Sequence, residues 1–162
     1  MNKIKACIKI FIVCVLSALL FSCGVEESKI EDFQFEYCGQ NVSVGDDVAL
    51  ILSELGEPVS YAESPSCAFE GLDKIYRYGS FEILTYPCED KDCIAQIRFL
   101  NDLISTSEGI KIGSSRAEVI TSYGEDFTVL GSGIVYKGKN SILQFAFRDD
   151  RVTAISYKEN DD

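Results

Sequence analysis

The sequence predicts an α+β fold: two tandem units, each a short helix followed by an antiparallel meander, joined into one sheet that helices cover on one face. Three observations point there. Residues 42–57 align without gaps on residues 110–125, at a constant offset of 68. Strand-like residues downstream match at an offset of 58, pairing Tyr78 with Tyr136, Ile94 with Val152, Ile97 with Ile155 and Phe99 with Tyr157. The late segments also alternate apolar and mixed positions, as an antiparallel sheet covered on one side requires. The repeats are placed at 41–104 and 105–162, after a signal segment at 1–22 and a tether at 23–40.

In the first unit Val48, Ile51, Leu52 and Leu55 fall at helical spacing and form one apolar stripe. Asp46 is the expected N-cap, Gly56 the expected left-handed stop, and Pro58 blocks continuation. The second helix repeats the stripe with Arg116, Val119, Ile120 and Tyr123 and stops at Gly124. Its cap is Ser114, or Ser115 with Glu118 completing a capping box. Strands are expected over 74–78, 81–86 and 94–100, then over 134–137, 141–147 and 151–157. In the third strands Ala95, Ile97 and Phe99, and Thr153, Ile155 and Tyr157, are expected on the apolar face. The change of offset leaves about ten additional residues in the first copy, within 58–71, and Cys67 lies among them.

The N-terminus is basic at Lys3, Lys5 and Lys9 and then apolar from Ile10 to Phe21, too short to span a bilayer and suited to a signal peptide. The run closes on Leu20-Phe21-Ser22-Cys23, which resembles the bacterial lipobox. That resemblance implies acylation of Cys23 and a protein anchored by lipid to the extracytoplasmic face of a cell membrane. Removing residues 1–22 leaves 140 residues with 12 basic and 26 acidic side chains, a net charge of −14. Such a charge opposes nucleic acid and anionic lipid as partners.

Cys38, Cys67, Cys88 and Cys93 then remain, an even number in an exported chain, which favours two disulfides. Of the three connectivities, Cys88–Cys93 fits a hairpin that sets the two sulfurs opposite each other, and Cys38–Cys67 follows by elimination. Chain entropy gives them about 2 and about 3.6 kcal/mol respectively. No metal or cofactor is expected: the cysteines are not spaced as paired ligands, and there is no histidine. Glu89, Asp90 and Asp92 form an acidic turn that could at most hold a weak calcium ion.

The helix motif that follows Gly45 and Gly113, ending Leu-Gly-x-Pro in the first copy before a meander, resembles small lipoprotein domains of the SmpA/OmlA (BamE) type. In tandem the units resemble the β-lactamase inhibitor protein architecture, which implies one sheet with helices behind it. The stretches 70–76 and 106–110 are similar to those of uncharacterised lipoproteins of gut Firmicutes.

Without histidine the common general base and the Ser-His and Cys-His pairs are absent. Gly131-Ser132-Gly133 is no nucleophile elbow, and Gly138-Lys139-Asn140 is no phosphate loop. The expectation is therefore a protein-binding module rather than an enzyme. Its partner would be another envelope or secreted protein, met through the open sheet face. Eight tyrosines and ten phenylalanines supply aromatic surface, and Tyr76, Tyr78, Tyr86, Gln96, Arg98 and Tyr136 are the candidate contact residues. A structural lipoprotein scaffolding an assembly is the alternative. A cluster of exposed aromatics would favour the first reading, and a polar sheet face the second.

Overall fold

A computed structural model describes residues 32–160. The signal segment and Cys23 lie outside the described residues. The fold is α+β: an eight-stranded antiparallel sheet with two short helices, α1 (Ala49–Leu55) and α2 (Arg116–Tyr123). A small hairpin, β1 (Phe35–Tyr37) and β2 (Gln40–Val42), precedes the first helix. The large sheet is built from β3 (Ser60–Pro65), β4 (Leu72–Arg77), β5 (Phe81–Cys88) and β6 (Lys91–Phe99), then β7 (Thr128–Leu130), β8 (Gly133–Lys137), β9 (Ser141–Arg148) and β10 (Arg151–Glu159). Its order, β3-β4-β5-β6-β10-β9-β8-β7, joins the two units through their last strands. In that junction Arg98 pairs with Ser156, its own counterpart 58 positions on, so a local two-fold axis passes between them.

The duplication extends to individual hydrogen bonds. Gly45 N donates to Ile94 O at 2.7 Å, and Gly113 N donates to Val152 O at 2.8 Å. Ile94 N and Val152 N return bonds to Asp46 O and Ser114 O. Gly56 N and Gly124 N close the helices on Leu52 O and Ile120 O. The Tyr78 hydroxyl donates to Gly56 O at 3.3 Å, and the Tyr136 hydroxyl to Gly124 O at 2.8 Å. Each helix is thus tied to its own meander at both ends, which a seven- or eight-residue helix needs because it is marginal alone.

The caps differ between copies. Ser115 caps α2: its hydroxyl accepts from Glu118 N, while the Glu118 carboxylate accepts from Ser115 N at 2.6 Å, completing the box. In α1 the expected cap moves. Asp46 accepts from Ser43 N, and Asp47, held in a bridge to Cys93, accepts from Ala49 N at 3.0 Å. Gly56 and Gly124 are not left-handed helical residues as expected. Their φ/ψ of 73°/−168° and 84°/−172° are extended with positive φ, a region that only glycine enters without strain.

The core fills one side of the sheet. Ile83, Phe81, Ile97, Phe99, Leu143, Phe145, Ile155 and Tyr157 are buried under Val48 and Val119 from the two helical segments. The hairpin β1–β2 is a third cover that the sequence reading did not anticipate. Phe35 is fully buried there, 4.9 Å from the Phe81 ring and 5.4 Å from the Phe99 ring.

Simple alternation in the third strands also fails, at one equivalent place in each copy. Ala95 lacks a partner between Leu84–Gln96 and Thr85–Ile94, and Thr153 lacks one between Phe147–Val152 and Ala146–Ala154. These bulges turn Ile94 and Val152 into the core in place of Ala95 and Thr153. The additional residues of the first copy lengthen its opening hairpin. Six residues of β3 pair with β4, where β7 pairs only three with β8.

Candidate functional site

Register assigns every strand residue to a face, because directly paired residues on neighbouring strands share one. Opposite the helices runs a row across repeat 1 of Ser60, Arg77, Glu82 and Arg98. It continues through Ser156, Gln144, Val135 and Thr128 of repeat 2. A second row holds Ala62, Ile75, Leu84 and Gln96, then Lys158, Ile142 and Lys137. Neither helix nor the β1–β2 hairpin covers these rows, since all three pack on the core side.

Glu82 is the focal residue of this face. It is 0 % exposed, yet sits among partners rather than in the apolar core. Arg77 donates to Glu82 Oε2 through Nε at 2.9 Å and Nη2 at 2.8 Å. Arg98 donates to Oε1 from the other side, through Nε at 2.5 Å and through Nη2. Desolvation alone would push the Glu82 carboxyl up; the two guanidiniums outweigh it and hold the group below its ordinary value of 4.5. A carboxylate held this way stays ionised and serves as an anchor for two cations, not as a proton donor. Both arginines remain about half exposed, at 53 % and 44 %. The equivalent positions in repeat 2, read through the register, are Val135, Gln144 and Ser156, so the charged clamp belongs to the first copy alone.

Beside the clamp lies a groove of about 630 Å³, with Ala62, Ile75, Leu84, Phe69 and Tyr86 among its walls. Phe69 comes from the β3–β4 turn and stacks on Tyr86, with ring centroids 5.1 Å apart. That turn approaches β5 so closely that a Cβ on Gly71, whose φ is 129°, would lie 3.0 Å from Pro87. The Tyr86 hydroxyl donates to Glu159 at 3.1 Å, and Asp73 Oδ1, enclosed at the groove, has no hydrogen-bond partner among the described residues.

The sequence-derived candidates divide between the two faces. Gln96 and Arg98 lie in the open rows, and Tyr86 lines the groove. Tyr76, Tyr78 and Tyr136 do not belong to the open face. Tyr76 shares the core side with Ile83 and packs against Tyr61, at 5.1 Å between ring centroids. Tyr78 and Tyr136 are 7 % and 3 % exposed and spend their hydroxyls on the helix stops. Their positions at strand ends read equally well as core or surface, and the hydrogen bonds to Gly56 and Gly124 decide for structure. Arg77 and Glu82 were not singled out by sequence: only the strand register brings them onto Arg98.

Cys88 and Cys93 are joined, with Cα atoms 5.9 Å apart across the β5–β6 hairpin. The expected Cys38–Cys67 link is absent: both cysteines are exposed and free. Cys38 occupies the tip of the β1–β2 hairpin at a φ of 51°, whereas Cys67 sits in the β3–β4 turn. The additional segment is ordered by its backbone ladder with β4 and by the Phe69 contact, without a covalent pin. In the acidic turn Asp92 is committed to Lys74, which donates at 2.6 Å. Among the described residues no group of three acidic or cysteine side chains gathers with metal-binding geometry. No helix among them is long and apolar enough to cross a membrane.

No family model and no curated protein matches the chain. Among solved structures the fold is similar to that of a DUF4309 family protein, YjgB, from Bacillus subtilis, with 14% identity and a TM-score of 0.44, over 74% of this chain and 82% of that one.

Proposed function

We propose that this chain is an extracytoplasmic module, tethered to the membrane through Cys23, that binds another envelope or secreted protein through the open face of its sheet and performs no catalysis. The observation that carries this reading is the two-sidedness of the sheet. One side is sealed by two helices and a hairpin, while the other holds half-exposed arginines and a groove walled by Phe69, itself 52 % exposed. The ionisable group most enclosed on that face, Glu82, is saturated by arginines, which suits recognition better than proton transfer. The sequence resemblance to tandem BamE-type and β-lactamase-inhibitor-type units agrees with a binding role.

A second reading has its own support. The open rows are chiefly small, aliphatic and charged, without the aromatic cluster that marks many protein-binding hot spots. That composition favours a structural lipoprotein held in a permanent assembly. Photo-crosslinking in the native envelope separates these from no interaction at all. A photoreactive residue at Gln96 or Lys158 is expected to give a discrete protein adduct, and one at Leu50, on the outer side of α1, none. An adduct that purified protein added before irradiation competes away supports a binding module; one that resists this competition supports the scaffold. Equal labelling from Leu50 contradicts both.

A further inference from the structure

We propose that Arg77 and Arg98, spread by Glu82, form a carboxylate clamp on the repeat 1 half of the sheet, and that the partner docks there through an acidic peptide segment. This deepens the binding-module reading and rests on it. The first argument is charge placement. The whole chain carries 26 acidic and 15 basic residues, yet the two open rows carry four basic side chains, Arg77, Arg98, Lys137 and Lys158, and one acid. That acid is Glu82, fully enclosed between its two arginines, so these two rows present cations against an acidic background, with Asp73 and Glu159 set apart at the neighbouring groove.

Donor accounting gives the second argument. A guanidinium has five N–H donors in a fixed fork. Arg77 and Arg98 each spend Nε and one Nη2 hydrogen on Glu82, and their other donors have no partner among the described residues. Glu82 therefore orients both forks while leaving their outer edges in solvent, which lowers the entropy lost when a second carboxylate arrives. The arginines sit on strands either side of β5, about 10 Å apart at ordinary strand spacing. On a peptide in the polyproline II conformation, with three residues per turn and a rise of about 3.1 Å, carboxylates three residues apart lie on one face about 9 Å from each other.

Acidic peptide fits better than a polyanionic surface. The bulk of the molecule repels extended negative charge, whereas a short segment lies within the local field of the patch, inside roughly one Debye length. The substitution that tests this is written by the protein itself. Arg77→Val, Glu82→Gln and Arg98→Ser together copy the neutral row of repeat 2, Val135, Gln144 and Ser156, leaving no buried charge unpaired.

The probe is a fluorescent peptide built on Glu-Gly-Gly-Glu, titrated at low salt into the full soluble domain. The wild type is expected to bind it in preference to a Lys-Gly-Gly-Lys control, with affinity falling as salt rises. The triple variant, checked for an unchanged circular dichroism spectrum, is expected to bind roughly tenfold or more weakly. No binding by the wild type, unchanged binding by the folded variant, or tighter binding to phosphatidylglycerol vesicles than to the peptide would each overturn the clamp. Should the variant lose its fold, Glu82→Gln with Arg98→Ser alone gives the same comparison. The crosslinking experiment makes no use of charge, so an envelope adduct from Lys158 that survives the triple substitution would sink the clamp and leave the binding module standing.

Discussion

Glu82 shows how a single residue can be invisible in sequence and decisive in structure. In β5 it stands between Phe81 and Ile83, and nothing local says whether it meets water or protein. Its meaning comes from two residues five and sixteen positions away, joined to it by strand register. Because its folded carboxyl is held below the ordinary 4.5, it contributes stability that is present above that value and lost as pH falls through the folded value. Glu82→Gln should therefore be less stable than wild type near pH 7, with the difference shrinking in acid; a pH-independent difference in urea midpoint would contradict this. Arg98→Ala should cost about 1–3 kcal/mol, because an enclosed carboxylate loses half its partners while Arg77 remains. Arg98 was a candidate from the sequence, as a polar position alternating with Ile97 and Phe99. Its partners were beyond reach, since register depends on contacts between distant segments.

The helices and strands were legible to different degrees, for physical reasons. Six strands and both helices follow from periodicity, because each buries one face against a common core. The strands β1, β2, β3 and β7 escaped: they are short edge or hairpin pieces, and β3 and β7 are exposed on both faces, so no alternation is imposed on them. The two bulges escaped as well, because an unpaired residue shifts which side chains face inward without changing composition. At this scale the helix ends make the clearest test. Ser115→Ala removes a capping box and should cost about 1 kcal/mol, while Asp46→Ala, at the position sequence alone would choose, should cost less. Gly56→Val and Gly124→Val each force a β-branched residue to positive φ and should cost about 1–3 kcal/mol by chemical denaturation. Wild-type stability in either glycine variant would contradict the helix stops. Peptide mass spectrometry without reduction should recover Cys88 linked to Cys93, with Cys38 and Cys67 alkylated before denaturation. A linked Cys38–Cys67 peptide would restore the pairing the structure lacks.

Across the whole molecule, two copies meet at Arg98 and Ser156 and share a core, but only one carries the charged clamp, where the other has Val135, Gln144 and Ser156. Duplication supplied a broad sheet, and divergence made its two halves chemically unlike. The same asymmetry appears at the edges, where repeat 1 has the long β3 hairpin that brings Phe69 over Tyr86 and repeat 2 has a three-residue β7. The proposed placement at the membrane belongs to this scale too. Cys23→Ala should move the protein from the membrane to the soluble fraction and abolish palmitate labelling, and persistent labelling would refute the tether. The measurement that bears most directly on the account is amine footprinting of the protein in intact envelopes against the same protein purified. The account requires Lys137 and Lys158 on the open rows to lose reactivity in the envelope while exposed Lys111, ahead of α2, keeps it. Protection of Lys111 instead, or unchanged reactivity of all three, would contradict it.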